Sequence, residues 1–133
     1  MRNQIVLGDN VPFLKSMGDS TVNLIYIDPP FNTGKVQSRG DKKYDDKFDD
    51  LPLYLQPSLY ESHRLLHPWG SLFFHIDYRE VHYCKIMLDK IFGRENFMNE
   101  IIWAYDYGGR PKNKWPAKHD SILWYVKNRD NYT

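Results

Sequence analysis

Apolar positions along the chain fall into runs with two distinct spacings. The first run, Gln4–Leu7, is short and mostly apolar and ends at Gly8-Asp9-Asn10, which predicts a strand tip and a turn. Val11–Met17 then predicts a short helix, with Asn10 as N-cap and Pro12 in the first turn. Val22–Ile27 is apolar on both faces apart from Asn23, the pattern of a buried parallel strand. It stops at Asp28-Pro29-Pro30, because two prolines cannot donate to a strand ladder.

Polar, glycine-punctuated residues from Asn32 to Asp50 predict a long loop. A helix follows, its regular part expected from Pro57 to Leu66 because proline is tolerated in a first turn. Leu59, Leu65 and Leu66 suit its buried stripe, and His67-Pro68-Trp69-Gly70 ends it. Ser71–Ile76 predicts a second apolar strand ended by Asp77, which is read as a cap for the next helix. Over Arg79–Phe92, residues Val81, Cys84, Met87, Leu88 and Ile91 recur at helical spacing, and Gly93 follows as C-cap. Glu100–Tyr105 and Ser121–Val126 are strand-like with no helix between them, so they predict an antiparallel hairpin. The order implies an α/β fold with an antiparallel C-terminal edge.

Composition narrows the class. The length of 133 residues suits one domain, and 41% hydrophobic with 26% charged residues is ordinary for a globular protein. Net charge is +1, so any affinity for nucleic acid must come from local patches. The single Cys84 excludes an internal disulfide and points to a reducing, cytoplasmic setting. No apolar run approaches the ~20 residues of a membrane span. The histidines (His63, His67, His75, His82 and His119) lack compact ligand spacing, so no metal site is expected.

The candidate chemistry sits where the first strand ends. Open α/β sheets bind ligands at the carboxyl edge of their strands. Asp28 offers a carboxylate there, Pro29 and Pro30 a stiff turn with carbonyls but no N–H, and Phe31 an aromatic face. Together they suit a planar ring bearing an exocyclic amine, with the ring on Phe31 and the NH₂ on Asp28 and the Pro29 carbonyl. Such an amine is a poor nucleophile, and two acceptors offset the positive charge that develops as it is alkylated. A base in a duplex reaches such a pocket only when flipped out. Two basic patches lie elsewhere. Lys35, Arg39, Lys42, Lys43 and Lys47 are nearly cancelled by nearby acids, whereas Arg110, Lys112, Lys114 and Lys118 flank Trp115 with no acid among them. The second pattern suits phosphate contact with stacking.

Asp28-Pro29-Pro30-Phe31 resembles the Asp-Pro-Pro-aromatic motif of amino-methyltransferases. With Gly8-Asp9-Asn10 upstream and Asn32-Thr33-Gly34-Lys35 downstream, the chain resembles the β-group DNA methyltransferases, including the modification subunits of type III restriction systems. Leu66–Asp77, Ile91–Phe97, Ile101-Ile102-Trp103 and His119–Asn128 follow in the family's order. The resemblance implies a mainly parallel, Rossmann-like sheet and S-adenosylmethionine as methyl donor. It implies Asp28, Pro29, Pro30 and Phe31 as the target-amine motif, Asp9 and Asp28 beside the donor, and His119 and Asp120 at the start of a strand flanking the flipped base. Lys35, Arg110, Lys112, Lys114, Trp115 and Lys118 are the remaining candidate DNA contacts. Asp at the motif's first position favours adenine N6, since N4-cytosine enzymes often carry Ser there. The family's donor-binding glycine segment has no counterpart, Gly108-Gly109 being the only adjacent glycine pair. The expectation is therefore a single partial catalytic domain over residues 1–133, without that segment or a target-recognition region. Its expected partners are DNA, a second copy or a missing C-terminal half, and a restriction subunit. Alternatives are a non-catalytic nucleic-acid-binding fragment, half of a split enzyme, or methylation of cytosine N4, RNA or a protein amide.

Overall fold

The computed structural model describes residues 3–133. It contains α1 (Asn10–Lys15), β1 (Val22–Ile27), β2 (Lys35–Arg39), β3 (Lys42–Asp46), α2 (Leu51–Leu65), β4 (Leu66–Ile76), α3 (Val81–Phe92), β5 (Phe97–Ala104) and β6 (His119–Val126). A short 3₁₀ turn, Arg94–Asn96, joins α3 to β5. The main sheet has the order β1-β4-β6-β5. Its parallel part is the β1–β4 pair, and β6 runs antiparallel to both β4 and β5, as the expected C-terminal hairpin requires.

Side-chain alternation along β4 decides which face is covered. Leu72, Phe74 and Ile76 are buried and join Leu51, Leu55, Leu59, Val81, Cys84, Leu88 and Phe92 from α2 and α3 in one core. Tyr125 and Leu123 of β6 complete it. Removing each such side chain from water contributes roughly 1.5–3 kcal/mol, so this layer fixes the sheet. The opposite face is thinner. Phe73 stacks on Trp124 at 5.7 Å between ring centroids, and Tyr132 meets Trp124 edge-on. Leu24 and Tyr26 of β1 are exposed there, while Ile25 and Ile27 are half-buried against the core, so β1 is covered on one face only, not on both as its composition suggests. The cause is position: among the described residues β1 lies at the sheet edge, with β4 as its one neighbour.

Several local expectations are corrected. Gln4–Leu7 forms no strand: among the described residues nothing pairs with it, and Ile5 and Leu7 stand free of the core. Asp9, rather than Asn10, caps α1, its carboxylate accepting the Val11 N–H at 3.0 Å. Asn32–Asp50 is not one loop: β2 and β3 form an antiparallel ribbon inside it. Gly40, at φ +61, occupies the first position of the two-residue turn and supplies the positive φ of a type II′ hairpin. The second helix begins at Leu51, six residues before Pro57. Asp50 caps it by accepting the Leu53 N–H at 2.9 Å, Pro52 fits its first turn, and Pro57 lies inside it. Strand β4 starts at Leu66, so His67–Gly70 belongs to a strand with an irregular register against β1. Gly70 is required there, since a Cβ would lie 3.0 Å from the carbonyls of Asn23 and His67. Asp77 does not occupy the N-cap of α3, which falls on Glu80; its carboxylate instead accepts the Arg79 N–H and shapes the turn before the helix.

Candidate active site

Strand β1 ends at the carboxyl edge beside β4, and Asp28-Pro29-Pro30-Phe31 leaves it there as an irregular segment. The segment is held from behind. Asn32 adopts φ +55, a left-handed conformation that Asn tolerates better than most residues. Its side chain donates to the Phe48 carbonyl at 3.0 Å and to Glu80 Oε1 at 2.7 Å, and accepts the Phe48 N–H at 2.9 Å. Asp46, at the end of β3 and 2% exposed, accepts the Asn32 N–H at 2.8 Å and the Thr33 N–H at 3.1 Å. The Thr33 hydroxyl and the Gln37 amide also donate to it. Burial alone pushes the Asp46 carboxyl up. The bonds from the Thr33 hydroxyl, the Thr33 and Asn32 N–H groups and Gln37 outweigh that and hold it below the usual carboxylate range. The ribbon thus clamps the motif through a buried carboxylate.

Two cavities meet at this segment. One, of about 480 Å³, is lined by Asp28, Pro29, Pro30, Phe31, Thr33, Gln37, Tyr44 and Asp46. The other, of about 570 Å³, includes Gly8, Asp9, Asn10, Ile27, Tyr54, Ser58 and Phe74, together with Asp28, Pro29 and Pro30. Residues 28–30 are therefore the wall between them. Asp28 remains accessible, its side chain 62% exposed. Pro29 is buried, and Phe31 is half-buried, packed partly on the core while also lining the first cavity. Asp9 reaches the second cavity from the start of α1.

A polar chain beside Asp28 was not anticipated in the sequence. The His75 ring, on β4, faces Tyr26 of β1 through Nδ1 (2.7 Å to the hydroxyl) and Asp120 of β6 through Nε2 (3.0 Å). The Tyr105 hydroxyl donates to the other Asp120 oxygen at 3.2 Å. Nδ1 also lies 4.0 Å from Asp28 Oδ1, and the Phe31 ring is 5.5 Å from the imidazole. Burial, with the negative charges of Asp28 and Asp120, pushes the Tyr26 hydroxyl pKa up. Burial, then Asp120, pushes Tyr105 up to about 12. Both phenols therefore stay protonated as donors at neutral pH. The one signal in the sequence was a histidine at an alternating position in an otherwise apolar strand, Leu72–Ile76.

The basic candidates are dispersed. Lys35 opens β2, opposite Asp46. Arg110, Lys112 and Lys114 are exposed between β5 and β6, and Trp115 is 94% exposed beside them. The Lys114 ammonium lies 5.9 Å from the Tyr78 ring centre. Lys118 is engaged within the protein: its ammonium donates to the carbonyls of Asp106, Tyr107 and Gly108, closing that loop. His119 is exposed at the first position of β6.

Comparison with known proteins agrees with this architecture. Residues 22–133 match the DNA methylase family model. The chain is 31% identical over 136 residues to the type II methyltransferase M.KpnI of Klebsiella pneumoniae, covering 95% of this chain and 33% of that protein. It is 30% identical over 131 residues to the DNA adenine methyltransferase YhdJ of Escherichia coli, covering 97% and 42%. It is 27% identical over 157 residues to the Mod subunit of the type III restriction-modification enzyme EcoP15I of Escherichia coli, covering 95% and 24%. The chain thus spans between a quarter and about two fifths of these relatives. Among solved structures, the DNA modification methylase TTHA0409 of Thermus thermophilus superposes with a TM-score of 0.69 at 20% identity, over 95% of this chain and 53% of that one. The N4-cytosine-specific PvuII methyltransferase superposes at 0.66 with 14% identity, over 92% and 48%. Among the described residues, no helix is long and apolar enough to cross a membrane. A sheet edge carrying an Asp-Pro-Pro-Phe wall between two cavities, and a family match across four fifths of the sequence, lead to one assignment: the chain belongs to the DNA methylase family.

Proposed function

We propose that this chain carries the target-amine half of an enzyme that methylates the N6 amine of a flipped adenine in DNA, using S-adenosylmethionine. The observation that carries the reading is the shared wall. Asp28, Pro29 and Pro30 line both cavities, so a ligand on either side meets the same residues. The 480 Å³ cavity offers Phe31 and Tyr44 as aromatic surfaces and Asp28 as acceptor, the set an aminated ring requires. YhdJ, a DNA adenine methyltransferase, supports adenine as the base.

The donor fits the other cavity. Asp9 and Asp28 bring carboxylates to a space walled by Ile27, Tyr54, Leu55, Leu59 and Phe74, which complements a cationic sulfonium on an otherwise apolar and aromatic scaffold. When bound, it supplies an electrophilic methyl group. The protein's own part is electrostatic and positional. Asp28 accepts from the amine and stabilises the charge that grows on nitrogen, and the two prolines keep it from drifting. Phe31 holds the ring plane. Arg110, Lys112 and Lys114, with Trp115 among them, contact the DNA backbone, and Lys35 adds to that contact. His119, at the head of β6, lies on the strand flanking the base. The relationship to the EcoP15I Mod subunit supports a restriction subunit as a further partner.

The test is methyl transfer from labelled S-adenosylmethionine to mixed-sequence DNA by the full-length protein, followed by digestion to nucleosides. N6-methyladenine as product, reduced on the order of 10²–10³-fold in Asp28→Ala, is expected. N4-methylcytosine as product, or unchanged activity in the variant, refutes the reading.

A further inference from the structure

The Tyr26–His75–Asp120–Tyr105 chain spans three strands and ends beside Asp28, and the amine chemistry above leaves it without a task. Its protonation pattern follows from its partners. Asp120 already accepts from the Tyr105 hydroxyl, and as a carboxylate it has only acceptors to offer His75. The imidazole must therefore present Nε2–H to Asp120, which leaves Nδ1 as an acceptor for the Tyr26 hydroxyl at 2.7 Å. The ring is 15% exposed and is faced by Tyr26, Asp28, Phe31 and Asp120. This is a base held in one tautomer by a carboxylate, its Nδ1 lone pair covered by the Tyr26 hydroxyl and lying 4.0 Å from Asp28 Oδ1.

We propose that His75 acts through Asp28 as the acceptor of the proton that the amine must lose after methylation. The inference rests on the amine-methylating reading above. The balance is as follows. The amine nitrogen's electron pair forms the new N–CH₃ bond while the S–CH₃ bond breaks and its electron pair stays on sulfur. The nitrogen is then cationic and carries one proton too many. That proton passes to an Asp28 oxygen, restoring a neutral methylamine. As the Tyr26 hydroxyl rotates its O–H off Nδ1 and becomes an acceptor, Asp28 passes the proton to the freed Nδ1 lone pair, and Asp120 stabilises the resulting imidazolium through Nε2–H before solvent takes the proton. The gap of 4.0 Å between Asp28 Oδ1 and Nδ1 is bridged by rotation of the accessible Asp28 carboxylate or by one water. His75 is a positioning and relay residue, since it touches Asp28 and not the amine.

The decisive variant is His75→Gln. Glutamine can accept from Tyr26 through its oxygen and donate to Asp120 through its nitrogen, but it cannot take up a proton. In the full-length protein, wild type must first methylate adenine; absence of that product refutes the amine reading itself and is thereby distinguished from failure of the relay. Given wild-type activity, His75→Gln is expected to lower kcat on the order of 10²-fold with KM for DNA unchanged. Asp120→Asn should lower kcat less. A ¹⁵N spectrum of labelled histidine should show the Nε2–H tautomer at position 75 in wild type and its loss in Asp120→Asn. Full kcat in His75→Gln, or a wild-type ring in the Nδ1–H tautomer, overturns the proposal. A variant whose kcat and KM both change with loss of thermal stability assigns His75 a structural role only, which also overturns it.

Discussion

Asp46→Asn is the perturbation whose outcome is best determined by the structure. The carboxylate is buried and serves the N–H groups of Asn32 and Thr33, the Thr33 hydroxyl and the Gln37 amide. The amide variant keeps the volume and one carbonyl oxygen but turns an NH₂ donor towards other donors. Hydrogen bonds to a charged acceptor contribute about 1.5–3 kcal/mol each, and four that share one carboxylate are not additive. A loss of about 3 kcal/mol in the local stability of the ribbon junction is the expected result. At about 1.4 kcal/mol per factor of ten, this is on the order of a 100-fold rise in local opening. Native-state hydrogen exchange at the amides of Asn32, Thr33 and Gly34 measures it; the Gly34 N–H bonds the Asp46 carbonyl at 2.9 Å. Amides in β4 and β6 should be little affected. Exchange at residues 32–34 that stays within about threefold of wild type, against the ~100-fold expected for that energy, refutes the clamp. The pH dependence has a definite sign. The Asp46 carboxyl titrates lower in the folded protein than in the unfolded chain. Its contribution is therefore fully present above the ordinary carboxylate pKa of about 4 and is lost as pH falls through the depressed folded value. Protection of residues 32–34 should drop in acid before that of the core.

Three further outcomes follow from local geometry. Pro57→Ala removes a ring from inside α2 and restores an N–H for the Leu53 carbonyl, and should stabilise the chain by about 1–3 kcal/mol, read as a higher Tm in a thermal melt. Gly70→Ala places a Cβ 2.9 Å from Leu66 Cδ2 and 3.0 Å from two backbone carbonyls where β1 and β4 lose register, and should cost about 1–3 kcal/mol in denaturant titration. On the proposed DNA-contacting role, Lys112→Ala, exposed and outside both cavities, should weaken DNA binding similarly on all sequences and lower the slope of log affinity against log salt by about 1.

The elements legible in the sequence are those whose partners lie in the core. The Val22–Ile27 run, broken by two prolines, has the bounds of β1, and the stripe Val81–Cys84–Leu88 is the buried face of α3. Asp28 through Phe31 were legible as one segment because they are contiguous, and Asp9 was linked to them only by resemblance. The ribbon was missed because its strands carry lysines, arginine and aspartates. Its stability comes from cross-strand pairing and from Asp46, and neither leaves an apolar period. The Gly40-Asp41 pair between Val36 and Tyr44 was the available signal. The start of α2 is hidden in the sequence because Pro57 suits a first turn as well as Pro52 does, and only the Asp50 cap distinguishes them. The His75 chain was invisible for a different reason. The two groups that bond the imidazole, Tyr26 and Asp120, are 49 and 45 residues from it, and only strand register brings them together.

Because residues 28–30 are a single partition with a cavity on each side, the two sites are not independent. Two successive prolines fix φ at both positions, so the partition shifts as a unit more readily than it bends. A ligand on one side and a ligand on the other therefore meet the same three residues. On the proposed reading, thermodynamic linkage demands reciprocity: whatever factor a methyl donor applied to affinity for the base, the base would apply to affinity for the donor. Coupling between the two proposed substrates would thus run through three residues, and substitutions at Tyr44 or Tyr54, each lining one of the two cavities, would adjust it.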